Sequence, residues 1–258
     1  DWSPDGKTIA FTADANGDEQ HQIYLLDVES GAIAPLLHTE KRQHLLNGYS
    51  DDGMWLAYTA NDRAEQDMDL QLYNLQTHEH KRLSQGKIVF SGPFSPDSKF
   101  LAASDFRGNT DHDLYVYNVE TGEAVAAFRP DSPSIAIAAA WSPDGSKLFF
   151  VTNYGREFTG LAAYSMADGS WEYVATPDWD FEQVVVLKKQ NRLVWSLNED
   201  GASKLLGADL ATREHFSLPA LPYGVLTGIK ANSSGTRLAL TFGQATEAAN
   251  LYEIDIAA

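Results

Sequence analysis

The feature that most constrains the fold is a short turn sequence that returns at a nearly constant interval. "WSPDGK" at residues 2–7 comes back as "WSPDGS" at residues 141–146. Similar turns stand between these two and after them, separated by 47, 45, 47, 45 and 45 residues when measured at Gly6, Gly53, Ser98, Gly145, Gln190 and Gly235. A fixed period of this size predicts a protein built from repeated structural units.

A second series of markers keeps the same period. It falls near the end of a later apolar run in each repeat, with steps of 47, 44, 47, 44 and 46 residues between Asp27, Asn74, Asn118, Ser165, Asp209 and Asp255. Two independent series with one period predict a single domain over residues 1–258. Its six repeats are placed at about 1–42, 43–87, 88–132, 133–179, 180–224 and 225–258.

Each repeat has the pattern of four antiparallel strands joined by turns, and no useful helical periodicity is present. In the second strand of the first repeat, Ile9 and Phe11 point to one side of the sheet and Ala10 to the other. Both sides are apolar, which favours a sheet buried on both faces. Small four-stranded sheets stacked side by side meet this requirement, so the predicted fold class is all-β and the predicted architecture is a β-propeller.

The two terminal repeats are incomplete in this pattern. The first begins at its turn and lacks a first strand, and the last stops after "LYEIDIAA" and lacks a fourth. Open strand edges are prone to aggregation, and a native terminus rarely falls inside a hairpin. We therefore expect the chain to be part of a larger protein whose propeller has seven blades.

Composition excludes several classes of function. The 36 acidic and 19 basic residues give a net charge of −17, which repels nucleic acid. The longest apolar runs, such as "IAIAAAW" at 135–141, are far shorter than the roughly 20 residues that a membrane span requires. With no cysteine, disulfides and thiolate chemistry are impossible. We expect the cytoplasm as the compartment, and the periplasm remains open.

Motifs for catalysis and cofactor binding are missing from the sequence. There is no G-x-S-x-G nucleophile elbow, no phosphate-binding G-x-x-x-x-G-K-[ST] and no G-x-G-x-x-G. The nearest match to the elbow, "GASKL", has leucine where the second glycine is needed, so Ser203 is predicted to be a solvated loop hydroxyl. No catalytic residue and no cofactor are predicted.

Two stretches resemble metal sites and are better explained as turns. His78 and His80 are spaced as metal ligands can be, but they fall at a polar turn beside Lys81 and Arg82, which predicts solvated side chains. "DANGDE" at 14–19 has the carboxylate spacing of a calcium loop, but Leu25 stands where the bidentate glutamate belongs. An Asx-type turn is predicted there, and no metal site is assigned.

The richest polar features are the loops between the second and third strands. They read "DANGDEQH", "NDRAEQDM", "DFRGNTDH", "NYGREFT" and "NEDGAS", and propeller topology places them on one rim. Arg156 can clamp a carboxylate at two points, and acids such as Glu157 can receive an ammonium group. The candidate binding residues are therefore Arg156, Glu157, Glu199 and Asp200; the alternative is a merely solvated face.

The repeats also resemble two known groups of propellers. "WSPDGK" followed by "IAF" and "IYLLD" resembles the TolB-type repeat. "NYGREFTGLAAYSMADGSWEYVATPDWDFEQV" at 153–184, "VWSLNEDGASKLLGADL" at 194–210 and "LPYGVLTGI" at 221–229 resemble the propeller of bacterial prolyl oligopeptidase-family serine peptidases, among them the acylaminoacyl-peptidase and dipeptidyl-aminopeptidase-like members.

This resemblance implies a propeller that caps an α/β-hydrolase domain and admits only short or unstructured peptides to its serine. The Ser-Asp-His triad of the family lies in the hydrolase domain, which this sequence lacks, so no catalytic residue carries over. The implied partners are that hydrolase domain and peptide substrates. Two alternatives remain open: a stand-alone TolB-like propeller that binds proteins, and a propeller with its own metal-dependent hydrolase or lyase site.

Overall fold

The structure, a computed structural model, describes residues 1–86 and 88–256. It consists of β-strands and connecting turns, with one 3-10 turn at Lys188–Gln190 among the described residues. Across the same residues, no helix has the length and apolar character needed to cross a membrane. The all-β prediction is confirmed. The chain divides into two compact units, one from Asp1 to Ala138 and the other beginning at Ala139.

The first unit holds three antiparallel sheets whose strands follow one another in chain order. Sheet 1 comprises β1 (Thr8–Ala13), β2 (Gln22–Asp27) and β3 (Ile33–Leu37). Sheet 2 comprises β4 (His44–Tyr49), β5 (Trp55–Ala60), β6 (Asp69–Asn74) and β7 (His80–Arg82). Sheet 3 comprises β8 (Val89–Phe94), β9 (Phe100–Gly108), β10 (Asp111–Asn118) and β11 (Ala124–Phe128).

Three further antiparallel sheets follow, and the boundary between the units falls within the first strand of sheet 4. Sheet 4 comprises β12 (Ala136–Trp141), β13 (Lys147–Thr152), β14 (Gly160–Ser165) and β15 (Trp171–Ala175). Sheet 5 comprises β16 (Asp180–Leu187), β17 (Arg192–Glu199) and β18 (Ala202–Asp209). Sheet 6 comprises β19 (Val225–Ala231), β20 (Arg237–Gln244) and β21 (Glu247–Asp255).

Sheet 5 differs from the expected four strands. Beyond β18 the chain forms only an isolated bridge between Ala208 and His215 before it leaves the sheet. The segment that should have supplied the fourth strand contains Pro219 and Pro222. Proline has no N–H to give to a strand ladder, which disfavours further pairing in this segment. Sheets 1 and 6 also have three strands, as the sequence indicated.

The repeated turn owes its stability to a serine that sequence inspection did not single out. In sheet 2 the Ser50 hydroxyl donates to Asp52 Oδ1 at 2.6 Å and accepts the Trp55 N–H at 2.9 Å. Gly53 takes a φ of 71°, a conformation that favours glycine. The Ser-x-Asp bond recurs at Ser3, Ser95 and Ser142. These contacts are all local, so the same short sequence forms the same turn in each of these four repeats.

The alternation in the second strand places side chains in two separate cores. Leu56 and Tyr58 on β5 are buried against sheet 1, while Ala57 between them packs in the cluster shared with sheet 3. In the second unit one apolar cluster joins sheets 4 and 5, and another joins sheets 5 and 6. Sheets 2 and 5 are therefore buried on both faces, as predicted, whereas β20 and β21 of sheet 6 keep an exposed face. The repeat boundaries and the single-domain assignment stay predictions.

Candidate functional site

Each of the first five repeats carries a buried polar side chain at the start of its third strand. The side chain accepts a hydrogen bond from a backbone N–H of the segment that leads to the next sheet or forms its first strand. The pairs are Gln22 with Thr39 at 2.9 Å, Asp69 with Gly86 at 3.1 Å, His112 with Ala136 at 3.4 Å, Thr159 with Phe181 at 2.8 Å and Ser203 with Leu226 at 2.9 Å. We call these five side chains the latch residues.

Ser203 belongs to this set, so the predicted solvated loop hydroxyl is wrong. It lies in β18 with 4% of its surface exposed. Its hydroxyl donates to Glu182 Oε2 at 2.8 Å while accepting the Leu226 N–H, and Asn198 holds the other oxygen of Glu182 at 3.1 Å. The hydroxyl is thus committed to joining sheet 5 to sheet 6. The pattern was hidden because its partners lie in another repeat.

Replacing Ser203 with alanine is expected to lower the free energy of unfolding by about 1–3 kcal/mol. The substitution leaves the buried Leu226 N–H without an acceptor and Glu182 without a donor. Urea unfolding followed by tryptophan fluorescence measures the change. Ser217→Ala is the matched control, since Ser217 is exposed in the same unit. Equal effects of the two substitutions would contradict the latch role of Ser203.

The predicted binding residue Arg156 lies on the loop between β13 and β14. Its Nη2 donates to the Pro177 carbonyl at 2.6 Å and its Nε to the Phe158 carbonyl at 3.3 Å. The guanidinium also lies 5.7 Å from the centre of the Tyr173 ring. Arg156 therefore braces its loop against the segment leading to β16, while the neighbouring Glu157 is exposed.

The other two predicted residues sit at the turn between β17 and β18. Glu199 forms an ion pair with Lys204 at 2.5 Å. Asp200 has a φ of 52°, its side chain is exposed, and its carbonyl accepts a hydrogen bond from the Tyr223 hydroxyl at 3.2 Å. Arg156 and Asp200 thus contact the connection that leads to the next sheet, and Glu199 contacts the strand that follows its own turn. Glu157 and Asp200 are the two whose carboxylates are presented to solvent. Their role in binding stays a prediction.

Two arginines in the first unit hold the corresponding hairpins. Arg63 forms a two-point ion pair with the buried carboxylate of Asp69, at 2.8 and 2.9 Å. Arg107, near the end of β9, donates to Asp113 at 2.7 Å and also pairs with Asp111, holding the pKa of the Asp111 carboxyl below its ordinary value. In three consecutive repeats an arginine therefore holds the hairpin between the second and third strands.

A buried histidine connects sheets 1 and 2 near these loops. His44 Nδ1 is 2.9 Å from Gln22 Oε1, and His44 Nε2 is 3.0 Å from Asp62 Oδ1. The amide orientation of Gln22 is fixed, because its Nε2 faces three carbonyl oxygens, including that of Arg42 at 2.6 Å. Its Oε1 therefore only accepts, and so does the carboxylate of Asp62.

The buried ring of His44 therefore faces an acceptor at each of its two nitrogens. Its hydrogen bond is the main cause that keeps the pKa of Asp62 below the ordinary value, so the carboxylate is the charged partner. The His44 side chain is 4% exposed and that of Asp62 32%. The contact with Asp62 therefore joins β4 to the loop after β5 within sheet 2, and the contact with Gln22 joins β4 to β2 of sheet 1.

The network continues across sheet 2 and includes a histidine predicted to be solvated. Gln71 donates to Asp62 at 3.4 Å and accepts from the Tyr58 hydroxyl at 3.2 Å. The remaining contact of Tyr58 is His80 Nδ1 at 3.0 Å. His80 lies in β7 and His78 in the predicted turn, where it contacts Tyr73 at 2.6 Å; both histidines are exposed, as predicted.

The stretch at 14–19 forms the predicted Asx-type turn. Asp14 accepts the Glu19 N–H at 3.2 Å and Asp18 accepts the Gln20 N–H at 2.9 Å. Asn16 and Gly17 adopt φ values of 60° and 74°. Among residues 1–86 and 88–256, no group of three or more His, Cys, Asp or Glu side chains is placed to hold a metal ion.

Comparisons with known proteins agree on the fold. A chain solved in a structural and mechanistic analysis of two prolyl endopeptidases superposes with a TM-score of 0.78 at 15% identity, over 100% of this chain and 40% of that chain. TolB from Acinetobacter baumannii superposes with a TM-score of 0.58 at 20% identity, over 83% of this chain and 52% of that chain. These similarities confirm the predicted β-propeller fold.

Sequence comparison adds a relative and a family. The WD repeat-containing protein 26 homolog of Drosophila melanogaster is 26% identical over 211 residues, which is 80% of this chain and 31% of that protein. The chain thus spans less than half the length of that relative and of the prolyl endopeptidase chain. The family model described as prolyl oligopeptidase, N-terminal beta-propeller domain, matches residues 1–258. The chain belongs to this family of propeller domains.

Proposed function

We propose that this chain is the non-catalytic propeller of a prolyl oligopeptidase-family serine peptidase that cleaves short peptides. It contacts the hydrolase domain and restricts which substrates reach the serine. The observation that carries the proposal is the match of the family's propeller domain to residues 1–258. The share of the prolyl endopeptidase chain that is covered, 40%, is consistent with a second domain outside the propeller. For the compartment we propose the cytoplasm.

The internal contacts of the propeller suit a rigid gate. Latch residues bind the connections or first strands that follow them, and arginines hold three of the hairpins between the second and third strands. A rigid wall excludes folded proteins by size, while a flexible one would admit them. The proposal needs no nucleophile in this chain, in agreement with the missing G-x-S-x-G elbow.

We further propose that the loops holding Arg156, Glu157, Glu199 and Asp200 face the peptide or the hydrolase domain. Glu157 and Asp200 supply exposed carboxylates suited to an amino terminus or a basic side chain. Arg156 and Glu199 keep these loops in place. In the parent peptidase, charge reversal by Glu157→Lys and Asp200→Lys should lower kcat/KM for substrates with a free amino terminus. The exposed pair Glu29→Lys and Glu123→Lys is the control.

The coding sequence that follows this propeller tests the proposal. It should encode roughly 250 further residues that include a G-x-S-x-G elbow and, later in the chain, the Asp and His of a triad. A stop codon directly after residue 258 would contradict the proposal.

A second candidate is a TolB-like propeller that acts as a protein-binding scaffold. The similarity to TolB over 83% of this chain favours it. It predicts a secretion signal upstream and a stable protein partner recovered by affinity purification from the periplasm. A fusion to a hydrolase domain in the same polypeptide would exclude it.

A further inference from the structure

A cavity of about 330 Å³ opens between sheets 4 and 5 in the second unit. Its walls are formed by buried apolar side chains of both sheets, among them Phe149, Leu193 and Trp195. Ligand pockets in proteins commonly measure roughly 300–1,000 Å³. The cavity is therefore large enough for a single aromatic ring with a short chain attached.

The cavity exists because of two features of this chain. Three wall positions, on β14, β15 and β18, are occupied by alanine at Ala163, Ala175 and Ala208. The pairing of sheet 5 also stops at the bridge to His215, so no complete fourth strand covers the opening. A dense core would carry larger side chains at such positions. The cavity therefore results from the small alanine side chains and from the missing fourth strand of sheet 5.

The mouth of the cavity carries more negative than positive charge. Asp144, Glu172 and Asp209 line it on the acidic side, against Lys147 and Arg213. Hydrogen bonds from Ser142 keep the pKa of Asp144 low, and backbone N–H groups of the following turn do the same for Asp209. These carboxylates stay ionised under ordinary conditions. The net charge of −17 on the chain adds to the attraction for cations.

One ion pair crosses the opening and can give way to a ligand. Glu172 on β15 pairs with Arg213, beyond the end of β18, at 2.7 Å. Both side chains are more than half exposed, and exposed pairs of this kind contribute only about 0–1 kcal/mol. A cationic ligand can therefore take over the contact with Glu172 at little cost. An anionic ligand could take over Arg213 in the same way, but it would face three carboxylates against two cationic side chains.

We propose that the cavity between sheets 4 and 5 binds an aromatic or branched apolar group that carries a cationic head. The apolar group fills the space over Trp195 and the three alanines. The cation lies at the mouth beside Glu172. This site stands apart from the loops between the second and third strands, and it does not depend on the proposed peptidase function.

Phenethylamine is the probe, and 3-phenylpropanoate is its anionic counterpart with the same ring. Titration into the 258-residue chain is followed by NMR shifts of the tryptophan indole N–H signals. We expect phenethylamine to bind in the millimolar range, as a ligand of about nine heavy atoms should. Phenylpropanoate should bind at least tenfold more weakly. Equal or tighter binding of phenylpropanoate, or no binding of either compound, would overturn the proposal.

Two substitutions locate the binding. Ala208→Leu fills the cavity and should weaken phenethylamine binding at least tenfold. Ala127→Leu, at an exposed position of β11, is the matched control and should leave it unchanged. If Ala208→Leu does not fold, Ala175→Leu replaces it. Glu172→Gln should reduce the preference for phenethylamine over phenylpropanoate. Unchanged affinity in a folded, filled variant would place the binding elsewhere and contradict the proposal.

The same chemistry can come from a free amine or from a peptide. Acetyl-Phe-Lys-amide carries an aromatic ring and an ammonium group on a peptide backbone. Tighter binding of this dipeptide than of phenethylamine would assign the cavity to basic peptides, and weaker binding would assign it to small amines. Both results support the site, provided that Ala208→Leu removes the binding.

Discussion

Replacing His44 with alanine is expected to lower the free energy of unfolding by about 3 kcal/mol, because it breaks two buried hydrogen bonds and empties the space of a buried ring. The substitution removes the ring that contacts Asp62 and Gln22 Oε1, which keeps the Thr39 N–H, and it leaves a void beside Tyr58. The loss is limited because the Asp62 side chain is about one third exposed and water can partly replace its partner. Urea unfolding at neutral pH measures the loss.

The pH dependence of this loss has a definite sign. Because His44 lowers the folded-state pKa of Asp62, the contribution of this carboxylate is present above its unfolded pKa. It disappears as the pH falls through the lowered folded value. The difference between the unmodified chain and His44→Ala should therefore shrink below the ordinary aspartate value of 3.8. His38→Ala, at an exposed histidine, is the control and should change stability little at any pH.

Truncating a core leucine should have an effect of similar size. Leu161 on β14 is fully buried in the cluster joining sheets 4 and 5, and its replacement by alanine is expected to cost about 2–5 kcal/mol. The cost combines lost burial with the cavity left behind. The measurement is again the free energy of unfolding in urea.

Leu251→Ala is the matched control for that experiment. Leu251 lies on β21, the last strand of sheet 6, and is 81% exposed. Its replacement should change stability by no more than about 0.5 kcal/mol. If Leu161→Ala and Leu251→Ala cost the same, the assignment of Leu161 to the core would be wrong.

The architecture was accessible from sequence because its markers are local. Ser50, Asp52 and Gly53 form their turn within a few residues, so the same letters recur wherever the same turn recurs. The alternation around Ala57 likewise reflects burial on both faces of one strand. Such features need no knowledge of distant contacts.

The latch residues could not be found in this way. Their partners are 17 to 24 residues away, and the latch side chain changes from glutamine to aspartate, histidine, threonine and serine. Any side chain with a suitable acceptor can fill the role, so no motif results. The shared property is burial of a polar group at a fixed place in the repeat, which becomes visible only in three dimensions.

The predicted binding residues were partly obscured for a related reason. Sequence inspection treated Arg156 as available for a ligand, whereas its guanidinium is occupied by the carbonyls of Pro177 and Phe158. Pro219 and Pro222 stand in the segment where sheet 5 lacks its fourth strand. The regular period, taken alone, predicted four strands there. The cavity between sheets 4 and 5 follows from that departure.

The central proposal is a propeller that acts without a hydrolytic centre of its own, and one assay tests it directly. The purified 258-residue chain is incubated with aminoacyl-nitroanilides and, separately, with a serine-directed phosphonate. We predict no nitroaniline release above the buffer rate and no phosphonate adduct by intact mass. Turnover that persists through purification and is abolished by the phosphonate would contradict the proposal.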